Sequence, residues 1–139
     1  LQNQDAILDT GTTLIILSTA AAKKIHSSIP GSTLHPKLGW LVPCALYNRR
    51  HLSSSSSSST NNKDAIAFKL NGKCFHVPLA DLAFEAVEGL GEKGEWCLSG
   101  VQGGQEGLWI LGDVFIKNHY VVFEYSSKNP RVGLSPLKN

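Results

Sequence analysis

Asp9-Thr10-Gly11 is the part of this 139-residue chain whose residue types and order best suit acid–base chemistry. An acid stands at the end of the apolar run Ala6-Ile7-Leu8 and leads into Thr10-Gly11-Thr12-Thr13, residues suited to a tight polar turn. Leu14-Ile15-Ile16-Leu17 follows at once and should bury the base of that turn. A carboxylate so placed is costly unless hydrogen-bonded or paired. Gly11 can offer its amide to the acid, and Thr12 a hydroxyl within local reach. Such donors hold a carboxylate poised for proton transfer.

Other candidate chemistry is weaker. Gly89, Gly91 and Gly94 fit G-x-G-x-x-G, but Trp96-Cys97-Leu98 continues as a strand where a dinucleotide fingerprint needs a helix. Glu92 and Glu95 would also repel phosphate, so the segment reads as an ordinary loop. No G-x-S-x-G surrounds a serine, which leaves a serine hydrolase without its nucleophile elbow. His26, His35, His51, His76 and His119 are scattered, with no H-E-x-x-H, and read as surface or strand-face residues. Cys74 and His76 can share a strand face, but no second close ligand pair supports a metal there. Cys44, Cys74 and Cys97 allow one internal disulfide in any of three pairings.

The elements that must position Asp9 are mostly short strands. Ala6 to Leu8 and Leu14 to Leu17 are the first two. Ser18 or Thr19 caps a helix over about 19–29, with Ala21, Ile25 and Ile29 on one face, and Pro30-Gly31 ends it. Trp40 to Val42 is a strand. The stretch 49–64, with seven consecutive serines from Ser53 to Ser59, reads as a flexible surface insertion. Alternation over Ala65–Leu70, the turn pair Asn71-Gly72 and the return through Cys74 to Leu79 predict a hairpin. Leu82 to Val87 reads as strand or short helix, and Trp96 to Ser99 as a strand. A short helix follows over about 113–118, then strands over His119–Tyr125 and Arg131–Leu134. The expected fold is mainly β, antiparallel, with one clear helix and short helical turns.

Thirteen Lys+Arg against eleven Asp+Glu leave +2, too small an excess to argue for nucleic acid or an anionic membrane. The longest apolar runs are far too short to cross a bilayer. The chain opens Leu1-Gln2-Asn3-Gln4 and holds no Met, so it reads as a processed or trimmed piece.

With Ala6-Ile7-Leu8-Asp9-Thr10-Gly11-Thr12-Thr13 at one end, Leu108-Trp109-Ile110-Leu111-Gly112-Asp113-Val114-Phe115-Ile116 lies about a hundred residues downstream. Together they resemble the C-terminal lobe of the pepsin-like aspartic proteases. Tyr120 to Tyr125 and Arg131 to Pro136 are similar to that family's closing strands, Ala65 to Val77 to its central hairpin, and Trp96-Cys97-Leu98-Ser99-Gly100 to a cysteine-bearing strand. The resemblance implies a double-psi β-barrel architecture, with 1–139 a C-terminal lobe that is incomplete at its N-terminus. It implies that Asp9 is one of two catalytic aspartates, sharing a proton with a partner and holding the attacking water. The partner Asp-Thr-Gly would come from an N-terminal lobe.

By the same resemblance, Thr10 reaches the opposite lobe, Thr12 bonds the outer oxygen of Asp9, and Gly11, Thr13 and Ile110 face substrate. Ile110-Leu111-Gly112 would pass behind the catalytic loop. Cys44 and Cys97 match the lobe's disulfide, which points to a secretory history and leaves Cys74 as a buried, inert thiol. The implied activity is hydrolysis of extended peptides with apolar side chains beside the cut, without metal or cofactor, and open to peptidic transition-state-analogue inhibitors. The implied setting is secreted or a vacuolar or lysosomal acidic compartment. Two alternatives stand beside this reading. One is a homodimer of the retroviral type, each copy giving one Asp-Thr-Gly. The other is a non-catalytic peptide-binding or inhibitory lobe.

Overall fold

The computed structural model describes residues 4–48, 64–92, 94–104, 106–126 and 128–137. The expected Ser-rich insertion at 49–64 lies outside them apart from Asp64. Among the described residues the chain is mostly strand, with one clear helix and short helical turns.

The first sheet carries the Asp9 loop. It runs in the order β1 (Asp5–Leu8), β10 (Leu108–Leu111), β2 (Ile15–Leu17), β9 (Val101–Gly103). β10 is parallel to β1, with Leu8 opposite Leu111, and antiparallel to β2, with Leu111 opposite Ile15. β2 is parallel to β9. The chain therefore leaves β1, turns through residues 9–14, and returns two places away with β10 threaded between. Two pairings are thus parallel within a fold expected to be antiparallel. Parallel neighbours need long connections, and about a hundred residues separate β1 from β10. Among the described residues β1 and β9 end this sheet without pairing each other, and no closed barrel is formed.

The second sheet is antiparallel, in the order β3 (Thr33–His35), β4 (Gly39–Pro43), β8 (Trp96–Ser99), β7 (Ala83–Ala86). Gln102 of β9 fastens it to the first sheet. Its side-chain oxygen accepts the Trp40 N–H at 2.8 Å, and its side-chain nitrogen donates to the carbonyls of Trp40 at 2.9 Å and Ser99 at 3.0 Å. One uncharged side chain thus bonds three backbone groups of the second sheet.

The helix α1 (Thr19–Ser27) starts where the Ser18 hydroxyl accepts the Ala21 N–H at 3.3 Å. Ala21, Ala22, His26 and Ile29 are buried. α1 stops two residues short of the expected end. The hydroxyls of Ser27 and Ser28 donate back to the carbonyls of Lys24 and Ile25, each at 2.7 Å, and Ile29 precedes a proline.

β5 (Ala65–Leu70) and β6 (Lys73–Pro78) form the predicted hairpin. Asn71 and Gly72 both adopt positive φ, 44° and 80°, as a two-residue turn of matching twist requires. Phe68, Phe75 and Val77 are buried. Strand periodicity then turns Cys74 outward, so its thiol is exposed rather than buried as expected. A 3-10 turn (Leu79–Leu82) carries the chain on to β7, so of the two expected conformations the 82–87 segment takes the strand, over Ala83–Ala86. Gly89, Gly91 and Gly94 all take positive φ in the loop before β8, consistent with an ordinary loop. The chain closes with α2 (Asp113–Ile116) and the hairpin of β11 (His119–Glu124) and β12 (Arg131–Pro136).

The disulfide joins Cys44 to Cys97, as the resemblance implied, across a sequence separation of 53. It sits where Val42 pairs with Cys97 and the Cys44 N–H donates to the Glu95 carbonyl. Closing a loop of that length stabilises the fold by roughly 4 kcal/mol in the chain-entropy account. Urea unfolding of the Cys44→Ser/Cys97→Ser protein is therefore expected to show a clearly lowered midpoint with an otherwise native spectrum. An unchanged midpoint would contradict this.

Candidate active site

The Asp9 N–H continues the β1–β10 ladder by donating to the Leu111 carbonyl at 3.1 Å, so the strand delivers Asp9 directly into the loop. The loop folds back on that residue. The Gly11 N–H donates to Asp9 Oδ1 at 2.9 Å, and the Thr12 hydroxyl donates to Oδ2 at 2.5 Å. The Thr12 N–H also donates to the Asp9 carbonyl at 3.3 Å. Both side-chain bonds are the ones the local sequence anticipated. The Thr12 hydroxyl first, then the Gly11 amide, hold the Asp9 carboxyl below its ordinary range, outweighing desolvation. Asp9 is half-buried, whereas Thr10, Gly11 and Thr13 are exposed.

The floor beneath the loop is apolar. Ile15, Leu17 and Val101 are fully buried, and the Ile15 N–H donates to the Gly100 carbonyl at 2.9 Å. From behind, α2 grips the loop backbone. The Asp113 N–H donates to the Thr12 carbonyl and the Val114 N–H to the Thr13 carbonyl, both at 2.9 Å. Gly112, immediately before α2, passes against the carbonyls of Thr12 and Leu14. Ile110 is half-buried on β10, opposite Ile7 on one side and Ile16 on the other. Ile110-Leu111-Gly112 thus runs behind the loop.

The loop therefore presents one ionised carboxylate at the rim of a rigid turn, with both oxygens oriented and the adjoining backbone open. That arrangement can orient water and exchange protons. Among the described residues no group of three His, Cys, Asp or Glu side chains is placed to hold a metal. Cys74 and His76 both point outward on β6.

Several residues of consequence escaped the sequence reading. His26 is buried on α1 rather than a surface or strand-face group, and His119 is buried at the start of β11. Asp81, also buried, pairs with Lys117 at 3.1 Å and so fastens the Leu79–Leu82 turn to the end of α2. A signal existed only for His26, which lies beside Ile25 on the apolar side of α1.

The family model for eukaryotic aspartyl proteases matches residues 1–137, and the chain belongs to that family. It is 34% identical over 135 residues to Rhizopuspepsin-1 of Rhizopus niveus, covering 97% of this chain and 28% of that protein. It is 31% identical over 137 residues to Rhizopuspepsin-4 of the same organism, covering 96% and 28%. To Pepsin A of Canis lupus familiaris it is 33% identical over 137 residues, covering 95% and 30%. The chain thus spans less than a third of the length of these relatives.

Proposed function

We propose that this chain belongs to the C-terminal lobe of a pepsin-like aspartic endopeptidase and supplies one of its two catalytic aspartates, Asp9. The observation that carries this reading is the Asp9 carboxylate itself, held by the Gly11 amide and the Thr12 hydroxyl on an otherwise exposed turn. An N-terminal lobe of the same protein provides the second Asp-Thr-Gly. Two carboxylates a few ångströms apart cannot both ionise easily, so they share a proton.

The ionised member takes a proton from a water molecule between them as its oxygen attacks the scissile carbonyl carbon. The protonated member gives its proton to the carbonyl oxygen. Collapse of the resulting diol breaks the C–N bond, with a proton passed to the leaving amine. Thr10 ties the loop to the opposite lobe. Gly11, Thr13 and Ile110 line the groove for an extended peptide or a peptidic transition-state analogue, and no cofactor takes part.

The Cys44–Cys97 disulfide supports passage through the secretory pathway to the outside or to a vacuolar or lysosomal acidic compartment. No helix among the described residues is long and apolar enough to cross a membrane.

The test is cleavage of a peptide with apolar residues flanking the scissile bond, assayed with this chain alone and with the N-terminal lobe joined to it. Cleavage is expected only from the joined protein. Activity of the lone chain that grows with the square of its concentration would replace this reading with a homodimeric enzyme.

A further inference from the structure

His26 is 1% exposed and Ser99, on β8, is 0% exposed. The imidazole ties α1 to two neighbouring strands of the second sheet, β4 and β8. Its Nδ1 lies 2.7 Å from the Ala22 carbonyl on α1, and its Nε2 lies 2.8 Å from Ser99 Oγ. Its ring stacks on Trp40 of β4, with centroids 4.3 Å apart and planes 6° from parallel.

The proton positions follow from the partners. A carbonyl only accepts, so Nδ1 carries the hydrogen. Nε2 of the neutral ring is then the acceptor, and the Ser99 hydroxyl donates to it. The same hydroxyl oxygen accepts the Val101 N–H at 3.2 Å. Every polar atom of this buried junction is satisfied, but only in the neutral state.

A second proton on the ring, at Nε2, would face Ser99 Oγ and displace the hydroxyl hydrogen. That hydrogen would have to find a new acceptor in a site closed to water, which is costly. The ring would also carry a charge with nothing opposite it. Ala22 on α1, Trp40 on β4, Ser99 on β8 and Gln102 on β9 are all uncharged, and Lys23 and Lys24 on α1 are exposed. We propose that His26 is an acid-sensitive latch: neutral, it clamps α1 to β4 and β8, and its protonation releases the clamp and loosens the domain.

Burial lowers the proton affinity of His26 from its ordinary 6.5, with the Ala22 carbonyl pulling weakly the other way and no charged side chain contributing. Because the folded value lies below the unfolded one, the unfolded chain binds more protons once pH drops under about 6.5. The latch therefore contributes full stability above that pH and loses it progressively as pH falls toward the folded value. Its position gives it reach: Ser99 leads through Gly100 and Val101 to Ile15, directly beneath the Asp9 loop. The latch itself does not depend on the protease reading.

Unfolding of the full chain in urea, at steps from about pH 7.5 to 5, tests it with wild type and His26→Gln. One proton per unfolding event makes the unfolding constant rise by up to about tenfold per pH unit. Wild type is expected to show that extra acid-side rise and His26→Gln to lack it. Equal pH dependence in the two proteins would overturn the proposal. Should His26→Gln not fold, imidazole resonances of wild type decide the matter. His26 is expected to remain the neutral Nδ1–H tautomer well below pH 6.5, until the chain unfolds. A full titration near 6.5 with the fold intact would equally overturn it.

Discussion

The Asp9→Asn protein, with both lobes present, should fold normally and cleave peptides roughly 10²- to 10⁴-fold more slowly than wild type, the range that a positioned acid–base group supplies. Asparagine has the shape of aspartate, and its side-chain oxygen can keep the bond from the Gly11 amide. Its NH₂ group would replace the oxygen that accepts from Thr12, and the Thr12 hydroxyl can turn to accept from it. The loop is also held by bonds that do not involve this side chain: Asp9 N–H to Leu111, Thr12 N–H to Asp9, and the two amides of α2. The turn should therefore survive, and only the proton chemistry is removed. An amide cannot take a proton from water at any working pH, and it cannot share one with a second carboxylate.

Steady-state cleavage beside a thermal melt reads both halves of this expectation. The melting temperature should move by no more than a few degrees while kcat collapses. Asp9 is held toward its charged form by Thr12 and Gly11, so the loss should extend across the acid range rather than appear only near neutrality. Undiminished cleavage by Asp9→Asn would end the endopeptidase reading for this loop. A large fall in melting temperature would instead mean that the carboxylate is a structural group.

What the sequence made legible was local. The bonds from Gly11 and Thr12 to Asp9 span two and three residues, and Asn71-Gly72 sets its own turn. The buried run after the turn is equally local, since Ile15 and Leu17 alternate with the half-buried Ile16. What it hid was long-range. His26 meets Ser99 across 73 residues, and nothing in either neighbourhood announces the other. The parallel pairing of β1 with β10 is hidden for the same reason, because alternation reports which face is buried and is silent on strand direction.

The exposure of Cys74 is an intermediate case. The alternation of β6 was visible, but its phase is decided by Phe75 meeting Phe68 across the hairpin on the core side. A resemblance that left Cys74 without a disulfide partner could say nothing about which way it points. The Cys44–Cys97 bond shows the converse, because there the resemblance supplied a long-range pairing that three scattered cysteines left open.

Gly112→Ala should be the most damaging single-methyl change in the chain. A Cβ at that position would lie 2.5 Å from the Leu14 carbonyl oxygen and closer still to that of Thr12. Gly112 has an ordinary negative φ of −85°, so backbone conformation does not demand glycine here; close approach does. The obstructing atoms are backbone, and they cannot swing aside as a side chain would. The Thr12 carbonyl is fixed by the Asp113 N–H and the next carbonyl, that of Thr13, by the Val114 N–H. To admit the methyl, either α2 must back away or the 12–14 backbone must shift, and both break the grip that orients Asp9. Forcing an atom into a closed site of this kind costs about 3 kcal/mol, the upper end of the overpacking range, because the obstructing atoms are backbone. For a domain of this size that is roughly a 10 °C fall in melting temperature. Gly133→Ala is the matched control. Its new Cβ would meet the Val122 side chain at 3.6 Å, an ordinary contact, and the change should leave stability within about 1 kcal/mol of wild type. Differential scanning calorimetry of the two variants, with cleavage assayed below both melting temperatures, separates fold from site. Gly112→Ala is expected to lose activity even where it remains folded, because the displaced turn no longer presents the carboxylate. A Gly112→Ala protein that melts and cleaves like wild type would show that the segment behind the loop does not position it.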